Sequence, residues 1–262
     1  MVWEAQFMRR HAFITAGTKG LGFQVSRALL YRGYSLTITY HKDMEAVEKF
    51  KQGWPNDLER IQFVQADVTK KQDLHNAIKE AYDQFGRIDI LINNAGPYIF
   101  ERKKLVDYEE EEWYSMMEGN LSAVFHLLRS VIPIMREQKF GRIVTYGFQE
   151  ANYAPGWKYR SAYAAAKVGV VSLMKTVSIE EAENGITINM VNPGNILGEM
   201  KEASIEQARE KQMEGNTPIG RSATGEDIAR TILFLCEDNS DMITGSVVDV
   251  TGAVDVINRE RK

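Results

Sequence analysis

Short runs of β-branched and aliphatic residues alternate with amphipathic helical stretches along the chain, and this alternation restricts the possible folds more than any other feature. The apolar runs fall at residues 11–15, 36–39, 61–64, 88–92, 142–145, 187–191 and 246–250. Helical spacing is read near residues 23–31, 44–52, 71–85, 109–135, 163–184, 204–213 and 225–236. The fourth of these helices is expected to end near Pro133, ahead of the Lys139-Phe140-Gly141 turn. Strands that alternate with helices pair in parallel, because each crossover returns the chain to the same end of the sheet. The expected architecture is a single α/β domain, a doubly wound parallel sheet of about seven strands flanked by helices. Residues 88–92 are suited to a strand buried on both faces.

The chain is long enough for a full core, with 262 residues, 44% hydrophobic and 26% charged. Its formal net charge is −4 and it carries no basic block, so neither nucleic acid nor a membrane is an expected partner. Cys236, the only cysteine, excludes an internal disulfide and reads as a buried small hydrophobe within Leu233-Phe234-Leu235-Cys236. Residues 1–10 lack the apolar core of a signal peptide, and no apolar run approaches membrane-spanning length. A cytoplasmic protein is expected. The four histidines, His11, His41, His75 and His126, fall in unrelated segments, so no metal site is expected.

The turn after the first strand reads Thr15-Ala16-Gly17-Thr18-Lys19-Gly20-Leu21-Gly22. Glycines between a first strand and a first helix let the backbone approach a pyrophosphate, whose charge then sits at the helix N-terminus. Gly17, Thr18, Lys19, Gly20, Leu21 and Gly22 are therefore candidate dinucleotide-binding residues, although the spacing is not the usual G-x-G-x-x-G. The second strand runs into Tyr40-His41-Lys42, with no carboxylate before Asp43. A carboxylate there would accept from a ribose 2′-hydroxyl, whereas positive charge tolerates a 2′-phosphate. His41, Lys42 and Lys19 thus favour NADP(H) over NAD(H); the competing reading of His41 and Lys42 is a solvated loop.

Ser161-Ala162-Tyr163-Ala164-Ala165-Ala166-Lys167 reads as helix, which stacks Tyr163 and Lys167 on one face. An ammonium beside a phenol favours the phenolate and makes the pair a candidate acid–base device.

In order and at matching separations, several segments resemble the short-chain dehydrogenase/reductase family over roughly residues 9–252. They are the glycine turn, Asp67-Val68, Asn93-Asn94-Ala95-Gly96, Asn120, Tyr163-x-x-x-Lys167 and Asn192-Pro193-Gly194. Pro218-Ile219-Gly220-Arg221 and Ile243-Thr244-Gly245 are similar to bacterial 3-oxoacyl-carrier-protein reductases. The resemblance implies a Rossmann-type fold and a NADP(H)-dependent oxidoreductase that reduces a carbonyl, or oxidises an alcohol, of a small molecule. It also implies a homotetramer. By the same resemblance, Tyr163 is the general acid, Lys167 holds the ribose hydroxyls and lowers the phenol's pKa, and Asn120 supports a water linking Lys167 to solvent. Asp67 and Val68 border the adenine, Asn94, Ala95 and Gly96 line the cofactor, and Pro193, Gly194 and Ile196 pack around the nicotinamide.

Three positions depart from the family pattern. The turn reads Thr-Ala-Gly where Thr-Gly-Ala is usual, and Gly198 stands where threonine is frequent. Aligning residues 141–147 on the fifth strand puts Phe148 at the place of the serine whose hydroxyl binds the substrate oxygen. Counting back from Tyr163 reaches Glu150 instead; the strand register is preferred because loop lengths vary more easily. Loss of such a donor costs about 3 kcal/mol of barrier, and Gln149, Glu150 or Tyr146 are the candidate replacements. The alternative function is a catalytically impaired dinucleotide-binding sensor or interaction protein. Residues 195–217 are read as a substrate lid, and 255–262 as a charged, partly ordered tail. Tyr153, Trp157, Tyr159, Tyr98 and Phe100 are expected to line a pocket for a flat ligand, or to pack the loop around residues 153–160, about two residues longer than the family's, or a subunit contact.

Overall fold

In the computed structural model, which describes residues 9–210 and 217–257, seven strands form one parallel sheet. They are β1 (His11–Ile14), β2 (Ser35–Tyr40), β3 (Ile61–Gln65), β4 (Ile90–Asn93), β5 (Gly141–Tyr146), β6 (Ile186–Pro193) and β7 (Val247–Val250), in the order β3-β2-β1-β4-β5-β6-β7. The helices are α1 (Gly20–Tyr31), α2 (Met44–Gly53), α3 (Lys71–Phe85), α4 (Glu110–Met117), α5 (Ala123–Gln138), α6 (Ser161–Glu180), α7 (Ile205–Glu210) and α8 (Gly225–Cys236).

Successive side chains of a strand point to opposite faces, and the central strands use this to build two cores. Phe13, Leu91, Ile143 and Ile188 stand side by side in register and pack with Leu74, Leu127, Val131, Val170 and Met174 of α3, α5 and α6. Ala12, Ile14, Ile90, Ile92, Val144 and Val191 face the other way, against Val25, Leu29, Phe50, Ile228 and Ile232 of α1, α2 and α8. Strands buried on both faces must be apolar throughout, which is why these runs read so clearly. The order reverses between β1 and β4, so a crevice opens outside their carboxyl ends, where ligands bind in open α/β sheets.

Three readings need correction. The pattern over 109–135 is interrupted by a π-helical turn, Glu118–Ser122, between α4 and α5. The helix also runs past Pro133 to Gln138 and ends on Lys139 at φ +54°. Pro133 is exposed, so the carbonyl left without a partner by the missing N–H can face water. α6 has the length and composition to cross a membrane, yet it is the core helix that packs on β6 and carries Tyr163 and Lys167.

Cys236 is buried, and desolvation pushes its thiol up to about 12. His11 is also buried, with Nδ1 2.8 Å from the Arg87 carbonyl and Nε2 2.9 Å from Thr37 Oγ1; burial pulls it down to about 4. It is a neutral core histidine. His75 and His126, far apart in sequence, share a surface hollow between α3 and α5. Among the described residues no three metal-ligating side chains converge. The expected lid falls partly, and the helix expected at 204–213 ends, within residues 211–216, outside the described residues; so do tail residues 258–262.

Candidate active site

Two clefts lie at the carboxyl ends of the central strands, with Pro97 lining one and Tyr98 the other. One, of about 720 Å³, is lined by Lys19, Gly20 and Leu21 of the glycine turn, by Tyr40 and His41 after β2, and by Asp67 and Val68 after β3. Asn94, Ala95 and Gly96 complete it from the end of β4. Thr15 joins the turn to β4: its Oγ1 accepts from the amides of Asn94 and Ala95, both at 2.9 Å. Asn94 Nδ2 donates back to the carbonyls of Thr15 and Ala16 at 2.9 and 3.0 Å.

Gly17 and Gly22 do not line this cleft. They are packing glycines: a Cβ on Gly17 would lie 2.6 Å from Ser26 Oγ, and one on Gly22 would lie 2.4 Å from the Ala16 carbonyl. Ala16 itself sits at φ +51°, a conformation that favours glycine, so the Thr-Ala-Gly variant leaves the left-handed residue with a Cβ. Thr18 lines a neighbouring hollow toward α2, and Lys42 lies in another beside β3. Gly20, the glycine of this turn that lines the cleft, sits at φ +61° at the start of α1 with nothing closer to its Cβ position than Lys201 Cδ at 3.9 Å, room that a dinucleotide phosphate fits.

The charges differ from the sequence reading. Lys19 is not an uncommitted cation, because its Nζ lies 2.5 Å from Asp43 Oδ2. That contact holds the Asp43 carboxyl below its usual range while Asp43 also caps α2 through the Ala46 amide. His41 Nε2 is 3.6 Å from Asp67 Oδ2, and Asp67 Oδ1 is bound by the Thr69 amide and hydroxyl at 3.0 and 2.7 Å. Two residues were missed. Lys201 enters the cleft from the segment after β6, and Glu202 Oε1 accepts from the Gly20 amide at 2.7 Å, at the N-terminus of α1. Their partners are far away in sequence, so no local pattern marked them.

The second cleft, of about 540 Å³, holds Tyr163, Pro193, Gly194 and Ile196, all expected near the nicotinamide. Lys167 lies behind Tyr163, its Nζ 5.5 Å from the phenol ring centroid. Lys167 is 4% exposed, and burial pulls its ammonium down to about 8. Tyr163 corrects an expectation. Its half-buried phenol is pushed up by desolvation, with the Tyr98 phenol adding to the effect, and Lys167 does not offset this. Tyr163 is therefore held as a neutral acid.

Asn120 sits in the π-helical turn and is buried. Its Nδ2 donates to the carbonyls of Pro97 and Met116 at 2.9 and 3.1 Å, while its Oδ1 is a buried acceptor with no protein partner. Such inserted turns recur where a helix must present a residue out of its regular phase. A Cβ on Gly96 would lie 2.3 Å from that Oδ1, so the glycine makes room for it.

Phe148, just beyond β5, is 2% exposed and stacks on Trp157 at 5.2 Å in the cleft wall. Trp157 in turn meets Tyr163 edge-on at 6.0 Å. None of the suggested replacements for a serine lines this cleft. Gln149 Oε1 accepts from the Val256 amide at 2.6 Å, and Tyr146 is buried in the core on the other face of the sheet. Glu150 begins a 3-10 turn at φ +60°, its amide bonded to Asp249. Of the aromatic residues, Tyr98, Trp157 and Tyr159 line the cleft, whereas Tyr153 and Phe100 are about four-fifths exposed outside it. The beginning of the expected tail is packed rather than loose: Val256 and Ile257 line the cleft and Ile257 is buried. Gly198, at φ +50°, opens a 3-10 turn with open space around its Cβ position.

Residues 15–254 match a family model described as Enoyl-(Acyl carrier protein) reductase. The chain is 64% identical over 252 residues to YtkK of Bacillus subtilis (strain 168), provisionally named an oxidoreductase; the match spans 96% of this chain and 99% of that protein. It is 32% identical to the 3-oxoacyl-[acyl-carrier-protein] reductase FabG of Staphylococcus epidermidis, over 94% of this chain and 99% of that one. A solved structure from Bacillus thuringiensis, described provisionally as a 3-oxoacyl-reductase, superposes with a TM-score of 0.90 at 65% identity, over 95% of this chain and 99% of that one. Sheet order, motif order and these likenesses agree: the chain belongs to the short-chain dehydrogenase/reductase family of oxidoreductases.

Proposed function

We propose that this oxidoreductase uses NADP(H) to reduce a carbonyl group of a small molecule, with Tyr163 as the proton donor. The observation that carries the reading is the pairing of a half-buried Tyr163 phenol in the aromatic cleft with a buried Lys167 behind it, in a chain whose other cleft is lined by the glycine turn and the ends of β2, β3 and β4. When bound, the dinucleotide supplies the hydride for the carbonyl carbon. Gly20, Leu21, Asp67, Val68, Asn94, Ala95 and Gly96 would hold its adenosine and phosphates, and Pro193, Gly194 and Ile196 its nicotinamide end. Tyr163, protonated at neutral pH, passes its proton to the carbonyl oxygen as the alcohol forms. Lys167, charged below about pH 8 and lying behind Tyr163, would bind the ribose hydroxyls. Asn120 Oδ1 has the free acceptor capacity to hold a water on the route by which Tyr163 is reprotonated. His41 and Lys42 remain the basis for preferring NADP(H), since Lys19 is committed to Asp43.

The assembly is proposed to be a cytoplasmic homotetramer. A second reading rests on Phe148: a wall residue without a donor would leave a dinucleotide-binding protein with a disabled site. Loss of NADPH absorbance with a panel of carbonyl compounds separates the two. Turnover by the native chain that Tyr163→Phe abolishes supports the reductase. NADPH binding by the native chain without turnover, with turnover appearing only in Phe148→Ser, supports the second.

A further inference from the structure

Phe148 leaves one wall of the aromatic cleft without a hydrogen-bond donor, and the opposite side supplies a different one. Tyr98 lies two residues beyond Gly96, on the segment leaving β4, and lines the same cleft as Tyr163. The two rings meet edge-on, with centroids 5.0 Å apart and planes at 86°. Both phenols therefore belong to one small volume.

Arg160, the residue before α6, makes Tyr98 unusual. Its Nε donates to Tyr98 Oη at 2.6 Å, and its guanidinium lies 5.0 Å from the Tyr98 ring centroid. The remaining guanidinium nitrogens donate to the carbonyls of Phe100, Glu101 and Tyr159 at 2.6 to 3.0 Å. Four bonds fix this cation, and it cannot swing away to pair elsewhere. A phenol oxygen that accepts from a guanidinium must aim its own proton in another direction. Accepting a charged hydrogen bond also makes that proton a stronger donor. Among the described residues Tyr98 donates to no protein acceptor.

We propose that Tyr98, held and polarised by Arg160, donates the second hydrogen bond to the substrate oxygen and so does the work of the serine that Phe148 displaces. The inference rests on the reductase reading above. In it the hydride reaches the carbonyl carbon and Tyr163 gives its proton to the oxygen. Tyr98 only shares its proton and keeps it throughout. Arg160 is a positioning residue, because it acts through Tyr98 and through the loop it fastens. The same arrangement favours planar carbonyl compounds, since Tyr98, Phe148, Trp157 and Tyr163 pack on one another into an aromatic wall of the cleft.

The test uses Tyr98→Phe, which keeps the ring and its packing. Steady-state kinetics with NADPH and a planar ketone that the native chain reduces should show kcat lower by about 100-fold, with KM changed less than about threefold. NADPH affinity, read from quenching of protein fluorescence, should be unchanged. Phe148→Ser in the Tyr98→Phe background should recover at least about tenfold of the lost kcat. Binding of 4-nitrophenolate, an oxyanion that needs no turnover, should weaken about tenfold in Tyr98→Phe. A kcat within about threefold of native, or unchanged 4-nitrophenolate affinity, overturns the role of Tyr98 while leaving the reductase reading intact. A native chain that binds NADPH but reduces no carbonyl overturns that reading and this inference with it.

Discussion

At the scale of single residues, Lys167 shows how a site can oppose stability. Burial lowers the pKa of its ammonium to about 8 from the ordinary 10.5, and no carboxylate among the described residues pairs with it. Below pH 8 the lysine is charged in both folded and unfolded chains, and the full burial penalty applies, at most about 3 kcal/mol. Between 8 and 10.5 the unfolded chain keeps a proton that the folded chain has shed, so stability rises with pH across that window. Lys167→Met is expected to raise the thermal midpoint of the cofactor-free protein at pH 7, and the gain should shrink by pH 10. A gain that does not change with pH would contradict the burial argument. Tyr163 and Lys167 were legible because helical spacing makes their contact local. Arg160, Glu202 and Lys201 were not legible, because their contacts depend on chain segments far away in sequence. The direction of the Tyr163 shift was also misread, since the rings packed on it, Tyr98 and Trp157, come from two other segments.

At the scale of elements, the turn from β1 to α1 concentrates the constraints. Gly17→Ala would force a Cβ to within 2.6 Å of Ser26 Oγ and 2.9 Å of Ile14 and Ile38, so it should cost about 1–3 kcal/mol, measurable by denaturant unfolding. Ala16→Gly should relieve left-handed strain and be neutral or stabilising by up to about 1 kcal/mol in the same experiment. The glycines were readable as a phosphate turn, but the sequence could not say which of them face a ligand and which face Ser26 or Asn94. Glu202 adds a second effect. A carboxylate already bonded to the first amide of α1 competes with any phosphate drawn to the same positive end. Glu202→Gln is expected to tighten NADPH binding several-fold, as read by fluorescence titration; weaker binding would show that Glu202 supports the cradle instead. The strands and helices themselves were largely legible, because buried parallel strands must be apolar. The π-helical turn at Asn120 was not, because no residue type within Glu118–Ser122 marks a switch to i→i+5 bonding.

At the scale of the whole molecule, α4 and α5 leave Trp113, Tyr114 and Phe125 substantially exposed, as expected of surfaces that meet other copies of the chain. With a 29.8 kDa protomer, light scattering should report about four times that mass if the tetramer is correct. Phe125→Glu should lower it. A monomer at micromolar concentration would refute the proposal. The two clefts also divide the molecule's tasks: the N-terminal half of the sheet holds most of the dinucleotide cleft, and the aromatic cleft draws on segments after β4, β5 and β6. Motif order grouped the residues proposed for each cleft, whereas the chemistry of the aromatic cleft had to await the packing of Phe148, Trp157 and Tyr98. The most direct measurement is NADPH consumption with a carbonyl panel by the native chain, Tyr163→Phe and Phe148→Ser side by side. The account predicts turnover by the native chain that Tyr163→Phe reduces to background. Turnover by Phe148→Ser alone, with the native chain silent, would contradict it.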